Sequence, residues 1–274
     1  MSFDTKIYFE YLNKRDMKNA CKYLIDNTPD YLYKFYSLSG NQNNELDVKK
    51  LNTLASNSNW YDLPKNQNDP YDMKLAYVDE KLAKEKGAIP EAVEVAKTLL
   101  SSLQNSFALC SFIDTDINNL PMWAFYSNNH KGYCVKYKIN KKELVQRIYY
   151  ESARIKIFGT LLCLYEEMKK SEKNGAETKD IEFYRHLVFG ILNCKHVSWK
   201  AENEFRIIVP TEKACGINIS NDIVGIVPEE VYIGINCSAD NEKRIIDICK
   251  HNLKCKAYKC STNGNEFLVC EEII

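Results

Sequence analysis

The stretch Glu202-Asn203-Glu204-Phe205-Arg206-Ile207-Ile208-Val209-Pro210 constrains this chain more than any other. It is short, ends on a proline and is rich in β-branched and aromatic residues, so it is predicted as a strand over residues 203–209. Strand alternation places Phe205, Ile207 and Val209 on one face and Glu202, Glu204 and Arg206 on the other. Three charges in line opposite an apolar face have two readings. Either they form a solvated surface on which Arg206 pairs with a neighbour, or they line a cleft. In a cleft, one carboxylate would stabilise a developing cation or take a proton.

The rest of the chain supplies partners for such a strand. Residues 31–37 (Tyr-Leu-Tyr-Lys-Phe-Tyr-Ser), 107–113, 133–137, 224–227, 231–235, 254–260 and 267–271 read as further strands. Helical spacing marks residues 6–26, 45–55, 90–104, 155–172, 180–192 and 240–252, with Pro90 in the first turn of its helix. Residues 121–126 read as irregular, and residues 57–73 as a long polar loop of the kind that often carries function. Strands clustered apart from helices imply an α+β fold, with a mixed or antiparallel, split β core and helices packed around it. No repeat, low-complexity tract or Gly/Ser linker divides residues 1–274, so one domain is expected, with helix 6–26 as an appendage.

Composition narrows the function classes. Lys+Arg and Asp+Glu are equal at 37 each, which argues against nucleic-acid binding by bulk positive charge. No apolar run approaches 18 residues, so no membrane partner is expected. The first residues lack a basic stretch followed by an apolar core, so no secretory signal is expected. The 11 cysteines contain no Cys-x-x-Cys pair, and the gaps among Cys249, Cys255, Cys260 and Cys270 are too irregular for a zinc knuckle. They are therefore expected to be reduced, mostly buried thiols of a cytoplasmic protein.

Other segments carry weaker chemical signals. Asn68-Asp69-Pro70-Tyr71-Asp72 reads as a turn with Asx hydrogen bonds, or as a pair of carboxylates for a divalent cation. Trp123 and Tyr126, three apart, share a helical face and serve either the core or a site. His130-Lys131-Gly132 reads as a hairpin turn in which Gly132 supplies a permissive backbone. His186, His196 and His251 lack ligand spacing, and no metal is predicted. Neither a phosphate-cradling glycine loop nor a Gly-x-Ser-x-Gly elbow is present.

Taken in order, these segments resemble a known family. Tyr31-Leu32-Tyr33-Lys34-Phe35, Asn68-Asp69-Pro70-Tyr71-Asp72, Cys110-Ser111-Phe112, Met122-Trp123-x-x-Tyr126, His130-Lys131-Gly132-Tyr133-Cys134 and Trp199-x-x-Glu202-x-Glu204-Phe205-Arg206 look like hallmarks of the bacterial "domain of unknown function 2971" family. The hallmarks span residues 31–210, and the family name supplies no reaction.

A more distant similarity is to mono-ADP-ribosyltransferases, in the order of Lys34 or Tyr36, then Ser111, then Glu202-Asn203-Glu204. That resemblance implies an NAD-consuming transferase or glycohydrolase, such as a toxin or defence effector acting on a protein or nucleic-acid acceptor. It implies that Glu204 stabilises an oxocarbenium-like transition state, that Glu202 activates the acceptor and that Ser111 braces Glu204. Lys34, Tyr36, Trp123, Tyr126 and Arg206 would bind the dinucleotide. Lys34 stands where an Arg or His is usual, and one serine where a Ser-Thr-Ser triplet is commoner.

Two other classes fit the same residues. A non-catalytic binding module would use Trp60, Trp123 and Trp199 as a recognition surface. A metal-dependent nuclease would use Asp69, Asp72, Glu202, Glu204 and Lys195. The readings part on whether Lys34, Ser111, Trp123 and Glu204 converge on one cleft between two β layers.

Overall fold

Strands Phe107–Ile113 and Glu204–Pro210 pair antiparallel along their full lengths, from Glu204 opposite Ile113 to Pro210 opposite Phe107. They belong to an eight-stranded sheet in the computed structural model, which describes residues 3–41, 44–178, 180–262 and 268–274. In chain order its strands are β1 (Tyr31–Tyr36), β2 (Phe107–Ile113), β3 (Tyr133–Ile139) and β4 (Val145–Arg147). They continue with β5 (Glu204–Pro210), β6 (Ile226–Ile233), β7 (Lys256–Ser261) and β8 (Val269–Glu272). The spatial order is β8-β7-β6-β3-β1-β2-β5-β4. Only β6 and β7 run parallel, so the sheet is mixed, and with helices around it the fold is α+β.

Alternation assigns the two faces as the sequence implies. Phe205 and Ile207 join Leu32, Phe112 and Tyr137 in one core, covered by helices Glu45–Ala55 and Ala239–Ile248 through Leu51 and Ile245. Ile208, one residue out of phase, packs with Leu109 against Leu100, Leu161 and Val188. Those three come from helices Pro90–Asn105, Phe158–Asn174 and Ile181–Leu192. A third cluster packs Phe35 and Ile113 against Trp123 of helix Leu120–Tyr126, where an irregular segment was expected.

The sheet has one weak seam. β1 pairs with β3 at six positions, from Tyr31 opposite Lys138 to Tyr36 opposite Tyr133. With β2 it shares a single registered pair, Tyr33 opposite Ile113. Beyond that pair the strands diverge, and the Ser111 carbonyl needs another donor. Lys34 Nζ supplies it at 2.9 Å. A lysine thus stands in for a ladder bond where the β core opens.

Several expected boundaries shift for local reasons. Residues 6–26 form two helices, Thr5–Asn13 and Met17–Asp26, because the chain turns at Arg15 (φ 57°) and Asp16 caps the second helix. Loop 57–73 contains strand Ser58–Tyr61, paired with Ile217–Ser220. Segments 224–227 and 231–235 merge into β6, irregular between Pro228 and Glu230, where proline has no N–H to donate. The last strand, expected over 267–271, runs from Val269, and residue 267 lies outside the described residues. All eleven cysteines are free, six of them buried, and among the described residues no helix is long and apolar enough to cross a membrane.

Gly132 is required for a different reason than the sequence suggests. The left-handed conformations of its turn belong to Asn128, Asn129 and His130, at φ 52°, 54° and 63°. At Gly132 a Cβ would overlap the backbone carbonyl of Tyr36, on the strand that lines the seam. Gly132→Ala is therefore expected to destabilise the fold by about 1–3 kcal/mol, as overpacking against backbone does. Urea denaturation followed by circular dichroism measures it.

Candidate functional site

The charges on β5 are buried. Arg206 is 1% exposed and Glu204 3%, so the solvated-surface reading does not hold. Desolvating these groups is costly, and the structure compensates by surrounding them with opposite charge. Arg206 grips Asp72 with both terminal nitrogens, at 2.7 and 2.6 Å, and donates from Nε to Glu204 Oε1 at 2.6 Å. The planar guanidinium fork suits this double engagement. Lys195 Nζ lies 2.6 Å from Glu204, 3.1 Å from Glu202 and 3.8 Å from Asp72.

Each partner arrives on a different local structure. Asp72 is carried by the Asp69–Asp72 turn, in which the Tyr71 N–H donates to Asp69 Oδ1 at 2.9 Å. The Asx reading of that segment is therefore correct for Asp69, while Asp72 points into the charge network. Lys195 sits on the short strand Cys194–His196. Glu202 does not share the β5 face as alternation predicts. It ends the 3₁₀ turn Val197–Glu202, and Asn203 follows in the left-handed region at φ 44°, donating its side-chain N–H to the Asp114 carbonyl at 2.9 Å. Asparagine tolerates that conformation better than most residues. The turn still delivers the Glu202 carboxylate to Lys195 and to the Tyr126 hydroxyl, which donates to it.

These groups border a cavity of about 900 Å³ at the opening between β1 and β2. Lys34, Tyr36, Ser111, Tyr126, Asn68, Lys195, Glu202 and Glu204 all lie on its wall, with Trp60 and Lys50. Tyr126 also accepts from Asn68 at 2.9 Å. Tyr36 stacks on Tyr133 at 4.7 Å and hydrogen-bonds Tyr137 at 2.8 Å, so its ring is held rigidly.

Other expected site residues lie elsewhere. Trp123 is wholly buried, edge-on to Phe35 and stacked on His130, with its indole N–H donated to the Ile117 carbonyl at 2.8 Å. A residue without free surface cannot stack on a ligand, so Trp123 is core. Arg206 lies behind the wall as a support. His130 and Lys131 belong to the turn that precedes β3. Trp199 lies beneath the Lys195 ammonium, 5.3 Å from its ring centre, and is not on the wall. Ser111 does not brace Glu204; Arg206 and Lys195 do.

The network fixes protonation. Burial alone would raise the Glu204 carboxyl, but the charges and hydrogen bonds of Arg206 and then Lys195 hold it at about 2. Burial likewise opposes the charge on Lys195, yet Glu204 leaves its pKa raised overall. Burial first, then the bond to Glu202, push the Tyr126 phenol well above its ordinary value. Glu204 is thus a permanent carboxylate, suited to stabilising positive charge and unsuited to proton transfer near neutrality. Three carboxylates meet two cations in the network, which leaves one negative charge in excess.

The sequence marks Asp72 only as part of a turn, a carboxylate pair or a family hallmark and Lys195 only for a nuclease, and nothing in it marks Tyr150. The Tyr150 hydroxyl accepts the Glu204 backbone N–H at 2.9 Å and so anchors the start of β5. Nothing in its spacing marks it. For the nuclease reading, Lys195 Nζ occupies the place between Glu202 and Glu204 that a bridging cation would take, and Asp69 Oδ1 accepts the Tyr71 N–H of its own turn.

Two stability measurements check this geometry. Asp72→Asn is expected to cost about 3–5 kcal/mol in urea denaturation, because it leaves a buried guanidinium short of an anion. Folding lowers the Glu204 pKa from 4.5 to about 2, so its stabilisation is complete above pH 4.5 and is lost as pH falls toward 2. Glu204→Gln should flatten that part of the acid-unfolding profile.

No curated protein and no solved structure matches the chain. Residues 122–207 match the model of a family described as "Protein of unknown function (DUF2971)", a segment that carries Tyr126, Lys195, Glu202, Glu204 and Arg206 but stops short of Lys34, Asp72 and Ser111. In that segment the chain is similar to a family without an assigned reaction.

Proposed function

We propose that the cavity binds NAD and that the protein cleaves its nicotinamide–ribose bond, passing the ADP-ribosyl group to water or to a macromolecular acceptor. The observation that carries the reading is the convergence of Lys34, Ser111 and Glu204 on one cavity where the sheet opens. Its volume falls in the range of small-molecule sites. Lysines 34, 49 and 50 offer charge for phosphates, while Tyr36, Trp60 and Tyr126 offer aromatic surface.

In this reaction nicotinamide leaves with the electron pair of the glycosidic bond, and positive charge develops on the ribose. The ionised Glu204, fixed by Arg206 and Lys195, stabilises that charge without reorganising. The acceptor hydroxyl then attacks the anomeric carbon, and its proton passes to Glu202. The excess negative charge of the network favours a cationic reacting centre.

One observation favours a second reading, a binding module without turnover. Both Glu204 oxygens are already engaged, by Arg206 and Lys195. Incubating the purified protein with NAD separates the two. Nicotinamide release that falls by at least about 10²-fold in Glu204→Gln supports the transferase, since one electrostatic donor is commonly worth that much. NAD binding by calorimetry without release supports the module. Neither binding nor release, or full activity in folded Glu204→Gln, excludes NAD chemistry at this cavity.

A further inference from the structure

Outside the cavity wall, the N-terminal helix pair packs against helix Ile181–Leu192. Tyr8, Leu12 and Ala20 form a small core there with Phe183 and Tyr149 at its margin, and Arg15 lies over the Phe183 ring at 3.4 Å. At the edge of this contact three side chains converge that packing does not require to be polar. Cys21 comes from helix Met17–Asp26, and Glu182 and His186 come from Ile181–Leu192. The last two are four residues apart and therefore share a face. One ligand atom from each lies within 4.8 Å of the others, and Cys21 Sγ is 3.6 Å from His186 Nε2.

We propose that Cys21, Glu182 and His186 form a zinc site that staples the N-terminal helices to the body of the protein. A tetrahedral zinc with a thiolate at about 2.3 Å and an imidazole nitrogen at about 2.0–2.1 Å holds those two atoms about 3.5 Å apart. The sulfur–nitrogen separation here already has that value. Thiolate, imidazole and carboxylate together are a donor set that suits zinc and disfavours magnesium or calcium, which take oxygen ligands.

The charges are also those of a site that needs a cation. Among the described residues Glu182 makes no salt bridge, and of the two lysines that line the same depression, Lys18 and Lys22, the second is held by Asp26 at 2.6 Å. On binding, the Cys21 thiol loses its proton to solvent, sulfur binds the metal, and the Glu182 carboxylate becomes a partner. His186 binds as the neutral imidazole. The depression beside Cys21 and Glu182, lined also by Met17 and Lys18, leaves room for a water as fourth ligand.

Spacing does not mark the set, because Cys21 lies 161 and 165 residues from Glu182 and His186 and only the last two are close in sequence. Cobalt(II) titration of the full chain under reducing conditions tests the site, since a thiolate-to-cobalt charge-transfer band reports sulfur ligation directly. The expected result is a tetrahedral spectrum saturating at one equivalent, absent in Cys21→Ser and in His186→Ala and retained in Cys215→Ser, the exposed cysteine. Zinc competition should show at least about 100-fold weaker affinity in the first two variants, because even outer-shell changes cost about 10–100-fold. Circular dichroism confirms that each variant is folded. No band in the wild type, a band that survives in folded Cys21→Ser, or one that is lost in Cys215→Ser overturns the assignment.

Discussion

A guanidinium buried to 1% exposure cannot stand alone, and much of this protein's local structure follows from satisfying Arg206. Asp72 reaches it from a turn more than a hundred residues earlier, and Glu204 reaches it from two positions away on the same strand. The excess charge of those carboxylates then draws in Lys195 from a separate short strand. Buried ion pairs of this kind add little net stability over a well-packed apolar core, because desolvation consumes most of the Coulomb gain. What they add here is position. Five charged side chains from four local structures are held within hydrogen-bond or ion-pair reach, with three of them on the wall of a cavity.

The cavity itself depends on an incomplete ladder. β1 and β2 are neighbours, yet they share one registered pair, and Lys34 rather than a backbone N–H answers the Ser111 carbonyl. The substitution keeps a buried acceptor satisfied while the strands separate. Tyr36 and Lys34 are thereby placed across the gap from Ser111 and Glu204. The Gly132–Tyr36 contact closes the far end of β1 against β3, so the opening is confined to one side of that strand.

The segment that matches the family of unknown function holds most of the charge network and none of the β1 wall. Most of the cavity wall in this chain is built from residues outside the match. The wall therefore draws on both parts, with the carboxylates Glu202 and Glu204 inside the match and Lys34 and Tyr36 outside it.

Much of this was legible in local pattern. Residues 45–55 and 107–113 form the expected elements with the expected ends, because helical and strand periodicities are read within a few residues of each position. The shared face of Glu204 and Arg206, and the opposite face of Phe205 and Ile207, follow from strand alternation alone. Glu202 escaped that reading because one left-handed asparagine ends the strand pattern early. Trp123 and Tyr126 show the limit most clearly: one helical face carries both, but only tertiary packing decides that the indole is covered and the phenol reaches Glu202. The sequence by itself determined which elements form and which side chains are charged on an apolar strand. Tertiary structure decided that those charges are buried, because Asp72, Lys195 and Lys34 are brought to them only when distant segments meet.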